Sequence, residues 1–156
     1  MIKQEKKLKK ALALAITVLL LGAWGCSNQA KTSNLNWYDN LQTAIQVAQK
    51  QNRPIMMDFT GSDWCVWCKR LDAEVFSHKE FINYAKNNLV LVKIDFPEKI
   101  PQSQATKYYN NQLAQKFGVR GFPTIILLKS DGTPIAATGY QRGGAAAYVQ
   151  HLKSLL

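Results

Sequence analysis

GSDWCVWCKR, residues 61–70, sets Cys65 and Cys68 three positions apart, with Trp64 before the first and Trp67 before the second. Two sulfurs at this spacing can hold a metal, brace a fold or exchange electrons. A bridge closing so short a loop constrains the unfolded chain little, which argues against a brace. Structural zinc takes four ligands, but the chain has only one further cysteine, Cys26, and only two histidines, His78 and His151, without the spacing of a site. Haem attachment wants a histidine directly after the second cysteine, where Lys69 stands.

The N-terminus bears on the remaining choice. Met1–Lys10 carries five lysines and one glutamate, and Ala11–Trp24 is apolar apart from Thr17 and Gly22. This is the form of an export signal over residues 1–25. The apolar run of 14 residues falls short of the roughly 20 needed to span a membrane, so it reads as a signal core rather than an anchor. Ala23-Trp24-Gly25 suits ordinary cleavage, whereas the following Cys26 suits lipid attachment. The segment resembles a bacterial lipoprotein signal, departing from it at Ala23, where leucine is usual, and at Trp24, where a small residue is usual. Cys26 is thus a lipidation candidate and belongs to processing, not to the core.

Residues 26–36 read as a polar linker and 37–156 as one domain; the 131 residues from Cys26 onward suit a single hydrophobic core. The first 25 residues hold five of the lysines and one glutamate, so the formal charge of +10 falls to +6 without them. No basic run survives beyond the signal, which argues against nucleic acid and for a solvated face able to meet anionic lipid or acidic partners. In an oxidising compartment, two close cysteines, each preceded by a tryptophan, read as a dithiol that cycles with its disulfide.

Periodicity places that dithiol. Leu41, Ala44, Ile45 and Ala48 recur at helical spacing until Asn52-Arg53-Pro54 stops them. Ile55–Thr60 is a short apolar strand with Asp58 embedded in it, leading through Gly61-Ser62-Asp63 into a helix that starts near Cys65 and stops by Ser77. Ser77-His78-Lys79-Glu80 has the form of a capping box opening another helix through about Asn87, with His78 exposed in its first turn. Leu89–Asp95 reads as a second buried strand in a sheet covered on both faces. A helix over Gln102–Phe117, a strand over Thr124–Lys129, a turn at Ser130-Asp131-Gly132, a strand over Pro134–Thr138 and a final helix to Leu155 complete the chain.

This order, with a cysteine pair after the first buried strand and a lone proline before the third, resembles the thioredoxin superfamily from about Leu35 to Leu156. The motifs MMDFTGSDWCVWCK, LVKID and GVRGFPTIILL followed by SDG carry the resemblance, and DFTGSDWC and LVLVKIDFP are most similar to exported Dsb-type disulfide reductases of the DsbH kind. The implied fold is α/β, a thioredoxin fold with a central mixed β-sheet flanked by helices.

The resemblance implies Cys65 as the attacking thiol and Cys68 as the resolving one. Independently of it, the free N–H groups of a helix start favour a thiolate at Cys65, lowering its pKa from about 8.5 toward 7. Trp64 would shield the pair from one side, Val66 and Trp67 separate the sulfurs, and Phe122 influences which partners fit. Pro123 matches the family's cis-proline, beside which a substrate segment can pair as a short strand. Asp58 matches the buried acid that takes and returns the proton of the resolving thiol. Six residues separate Asp58 from Cys65, where thioredoxin has five. Leu91 stands where thioredoxin has a lysine beside that acid; Lys93 lies two residues on, facing the same side, and the lysine's role is not transferred to it.

These residues imply a monomeric periplasmic thiol:disulfide oxidoreductase acting mainly as a reductase, optionally tethered through a lipidated Cys26. It would need no cofactor or metal, because the dithiol carries two electrons. Its partners would be periplasmic or secreted proteins with disulfides, and the resemblance implies a membrane electron donor of the DsbD type to recharge it. The competing readings are an oxidase or isomerase using the same cysteines, a copper-binding module built on Cys65 and Cys68, and a holdase using the groove near Phe122.

Overall fold

Six consecutive buried residues, Ile55–Thr60, form the strand around which the rest is arranged. The computed structural model describes residues 35–156; the expected signal, Cys26 and all but the end of the linker lie outside the described residues. In chain order the elements are β1 (Trp37–Tyr38), α1 (Leu41–Gln51), β2 (Ile55–Thr60), α2 (Val66–Leu71) continuing into a π-helical turn (Asp72–Phe76), α3 (Lys79–Asn88), β3 (Val90–Asp95), α4 (Gln104–Lys116), β4 (Thr124–Leu128), β5 (Pro134–Thr138) and α5 (Gly144–Leu155). The sheet runs β1-β3-β2-β4-β5, with β1 and β2 parallel to β3, and β4 antiparallel to both β2 and β5.

Both faces of β2 are covered, which is why it reads as an unbroken apolar run. Ile55, Met57 and Phe59 meet α1 and α4 through Leu41, Ala44, Ala48 and Leu113. Met56 points the other way, toward Leu71, Val75, Phe81, Tyr148 and Leu152. Alternation along a strand therefore puts Asp58 on the face of Met56, the side of the cysteine helix.

Local chemistry sets both ends of α1, of which the sequence marked the stop at Asn52. The Asn40 side chain accepts the Thr43 N–H at 3.0 Å, and Asn52 closes the helix in the left-handed region at φ 50°. The capping box does not form. Ser77 belongs to the preceding turn, where its hydroxyl donates to Asp72 O at 2.6 Å, and the N-cap of α3 is the exposed His78, without a side-chain bond. The Ser77 backbone N–H also reaches Asp72 O, at 3.0 Å. This wide turn satisfies carbonyls that an ideal α-helix would leave open at its end, so Ser77 is spent before α3 begins.

Candidate active site

The cysteines sit where β2 hands over to α2. Cys65 is the N-cap of α2, and the two cysteines are joined as a disulfide with Cα atoms 5.3 Å apart. Cys65 Sγ accepts the Cys68 N–H at 3.1 Å, the place an N-cap oxygen usually takes. That donor is aimed where a thiolate would carry its charge. The two residues are almost equally covered, 6% and 5% exposed, so burial does not distinguish them.

The turn before Cys65 is tied to the loop after β3 at several points. Ser62 donates through its N–H and its hydroxyl to the two oxygens of Asp95, at 2.9 and 2.6 Å. The Asp63 carboxylate accepts the N–H groups of Glu98, Lys99 and Ile100, at 3.0, 2.6 and 3.1 Å, and these bonds hold its pKa below the usual carboxylate value. The longer spacing between Asp58 and Cys65 is thus taken up in an anchored turn, and Asp58 stays in the strand. Asp63 is a site residue that the motif alone does not single out.

Trp64 closes one side of the pair. Its indole N–H donates to Phe96 O at 2.7 Å, and its ring meets Phe122 edge-on at 5.9 Å. A Cβ at Gly61 would come within 2.5 Å of that indole, so glycine is what lets the ring fold back over the turn. Phe122 also packs on Phe96, at 5.0 Å, and the Phe122–Pro123 peptide bond is cis. On the outer side Val66 is 73% exposed and Trp67 46% exposed, leaving an apolar rim beside the sulfurs.

Beneath Cys68 lies a cavity lined by Asp58, Thr60, Ser62, Cys68, Lys69, Asp72 and Lys93. One oxygen of Asp58, Oδ1, has no hydrogen-bond partner there. Burial pushes the Asp58 pKa up to about 7; Lys93 opposes the rise, and Asp72 and Asp95 add to it. Lys93 is the Cα partner of Asp58 across the parallel pair β2 and β3. Register therefore sets a lysine beside the buried acid at Lys93 rather than at position 91, where Leu91 packs into the core. Asp72, at the start of the π-helical turn, is a second acid that sequence reasoning passed over. Its spacing of four from Cys68 puts it on the same helix face, which is the signal that was available.

The thioredoxin-like domain model matches residues 41–155. The chain belongs to the thioredoxin-like family. Within it, the chain is 35% identical over 124 residues to the disulfide bond reductase DsbH of Chlamydia pneumoniae, covering 80% of this chain and 74% of that relative. A solved structure described as DsbH oxidoreductase superimposes with a TM-score of 0.74 at 32% identity, covering 85% of this chain and 92% of the other. The thiol:disulfide interchange protein DsbD of Yersinia pestis is 34% identical over 135 residues, which is 81% of this chain and only 20% of that longer protein. With its joined Cys65 and Cys68, this member of the thioredoxin-like family is a Dsb-type thiol:disulfide oxidoreductase. No helix among the described residues is long and apolar enough to cross a membrane.

Proposed function

We propose that the protein works outside the cytoplasm as a disulfide reductase. The observation that carries this direction is the pair Val66 and Trp67 between the sulfurs. Neither side chain donates to a sulfur, and among the described residues the hydrogen bond to Cys65 Sγ comes from the Cys68 N–H. With the reduced thiolate less stabilised than in strong oxidases, the disulfide form is relatively favoured and the dithiol gives its electrons away more readily. The name of the DsbH relative agrees with that direction.

In the forward reaction the Cys65 thiolate attacks one sulfur of a partner's disulfide. That S–S bond breaks, and the other partner sulfur leaves as a thiolate that takes up a proton. Cys68 then loses its proton to the Asp58 carboxylate and attacks Cys65 Sγ. The mixed disulfide breaks and the second partner thiol is released, so two electrons pass to the partner and Cys65–Cys68 is oxidised. Lys93 and Asp72 set the charge around Asp58. Trp64, Phe122 and Pro123 form the side on which a substrate segment lies in extended form. Recharging falls to a dithiol donor of the DsbD type, and the substrates are proteins with disulfides in the periplasm.

The expected potential of the Cys65/Cys68 couple lies nearer the thioredoxin value of about −270 mV than the strong-oxidant value of about −120 mV, a gap worth roughly 7 kcal/mol. Lys69 and Arg70 oppose this, but charge exposed to solvent is screened and contributes little. Equilibration with glutathione measures the potential directly, and a Trp67→His variant should shift it upward. A wild-type value above about −180 mV would assign the protein to oxidation or isomerisation instead, and an unmoved variant would remove the reason given for the direction.

For the N-terminus we propose a lipoprotein-type signal over residues 1–25, cleaved to leave Cys26 acylated at the head of a linker. Mass analysis of membrane-extracted protein should find acyl mass on Cys26, and Cys26→Ala should release the protein from the membrane. A mature chain that starts beyond Cys26 would rule this out.

A further inference from the structure

The two tryptophans beside the cysteines are held by different means. Trp64 is fixed by the loop next to it, through Phe96 and Phe122. Trp67 is held from a part of the chain that no motif marks. Tyr140, just beyond β5, has its ring 5.3 Å from that of Trp67. The Arg70 guanidinium lies 5.4 Å from the centre of the Trp67 ring and 5.9 Å from that of Tyr140. Glu74, in the π-helical turn, joins the cluster: one carboxylate oxygen accepts Arg70 Nε at 2.7 Å and the other accepts the Tyr140 hydroxyl. Cation, carboxylate, phenol and indole thus form a closed set spanning α2 and the segment after β5.

An exposed Arg–Glu pair four residues apart on a helix contributes little to stability. The set acquires a purpose from what it holds still. Trp67 stays 46% exposed and adjoins the reactive pair, although a free indole at the surface would sample many orientations. A large aromatic ring ordered before binding spares the complex the cost of ordering it, and Trp, Tyr and Arg are the residues that most often dominate binding energy. The hydrogen bond from Tyr140, followed by that from Arg70, lowers the Glu74 pKa, so the clamp keeps its charge further into acid than a free glutamate would.

The geometry points to Tyr140 as a positioning residue for thiol:disulfide exchange. With Glu74 and Arg70 it holds Trp67 as a fixed wall against which polypeptide flanking a target disulfide packs, opposite the wall made by Trp64 and Phe122. The contribution is to the binding of protein substrates and not to the sulfur chemistry. It rests on the exchange activity and is independent of whether reduction is the physiological direction.

The test compares two disulfides, insulin and hydroxyethyl disulfide, with dithiothreitol as reductant and the full chain as catalyst. Tyr140→Ala should raise KM for insulin about fivefold, the scale of one lost aromatic pair, with kcat held within about twofold. KM for hydroxyethyl disulfide, too small to reach the wall, should not move. Tyr140→Phe keeps the ring and loses the bond to Glu74, and should raise the insulin KM by about twofold, which decides the matter if the alanine variant does not fold. Combining Tyr140→Ala with Trp67→Ala should cost no more than Trp67→Ala alone. An unchanged insulin KM, an equal loss with both disulfides, or full additivity in the double variant would each overturn the assignment. Turnover of hydroxyethyl disulfide by the wild type reports the exchange reaction separately from the wall.

Discussion

Cys68→Ser should turn the protein into a trap that accumulates covalent complexes with its partners through Cys65. The first attack needs only the Cys65 thiolate, whose sulfur sits at the start of α2 with the N–H of residue 68 aimed at it at 3.1 Å. That donor belongs to the backbone and survives the substitution. The second attack needs a sulfur at position 68, and a serine hydroxyl is far too weakly acidic to replace it, so the mixed disulfide persists until an outside thiol arrives. Cys65→Ser should trap nothing and should lower insulin reduction to the uncatalysed rate. Non-reducing electrophoresis of cells expressing each variant reads both outcomes. Because the two cysteines are equally covered in the folded protein, this experiment assigns their roles where accessibility does not. Adducts on Cys65→Ser and none on Cys68→Ser would reverse the assignment.

Asp58→Asn should change the pH dependence of stability by about 4 kcal/mol. The Asp58 pKa is raised from 3.8 to about 7, with burial as the first cause. The folded state therefore binds a proton more tightly than the unfolded chain does. Below the unfolded value both states are protonated and there is no penalty. As the pH climbs from about 4 to about 7 the folded state must either keep the proton or bury a charge, so the wild type loses stability through this window and levels off above it. The roughly 3 pKa units, at 1.36 kcal/mol each, give that figure. An asparagine does not titrate, so the difference between variant and wild type should grow across the same window, whatever constant cost the amide brings. Denaturant unfolding of the oxidised forms between pH 4 and pH 9 measures it, and a constant difference would mean that Asp58 is not a high-pKa acid. Lys93→Met should extend the window at its upper end, because Lys93 is the group that lowers the Asp58 pKa in the folded state. The same Asp58→Asn variant should resolve mixed disulfides slowly at neutral pH, since the proton of Cys68 then lacks its acceptor.

The elements around the cysteines were legible because their causes are local. Ile55–Thr60 is apolar at every position except Asp58 and the terminal Thr60, and it is a buried strand. Asn52 closes α1 through bonds from its N–H to residues three and four positions back, where the sequence reading placed the stop. The order of strands and helices followed from such stretches, and with the three motifs it was enough to name the fold and the redox pair. β1 escaped notice because two residues, Trp37 and Tyr38, carry no alternation to read; their partners Leu91 and Val92 lie more than fifty positions on. The failed capping box has a similar cause, since Ser77 had two possible uses and only the wide turn before it determined which one it serves.

Around the sulfurs, the division falls between residue type and register. Cys65 and Cys68 could be picked out from their spacing, and Asp58 and Pro123 were candidates through the family motifs they match. That Lys93 stands opposite Asp58, that Asp63 takes up the longer spacing by capping the loop at residues 98–100, and that Tyr140 and Glu74 reach Trp67 are consequences of strand pairing and helix packing. A short chain segment encodes its own periodicity and turn chemistry, because those depend on neighbours within a few residues. Which side chain faces which across a sheet depends on a register that shifts every contact when it slips by one residue, and only the packed core holds that register in place.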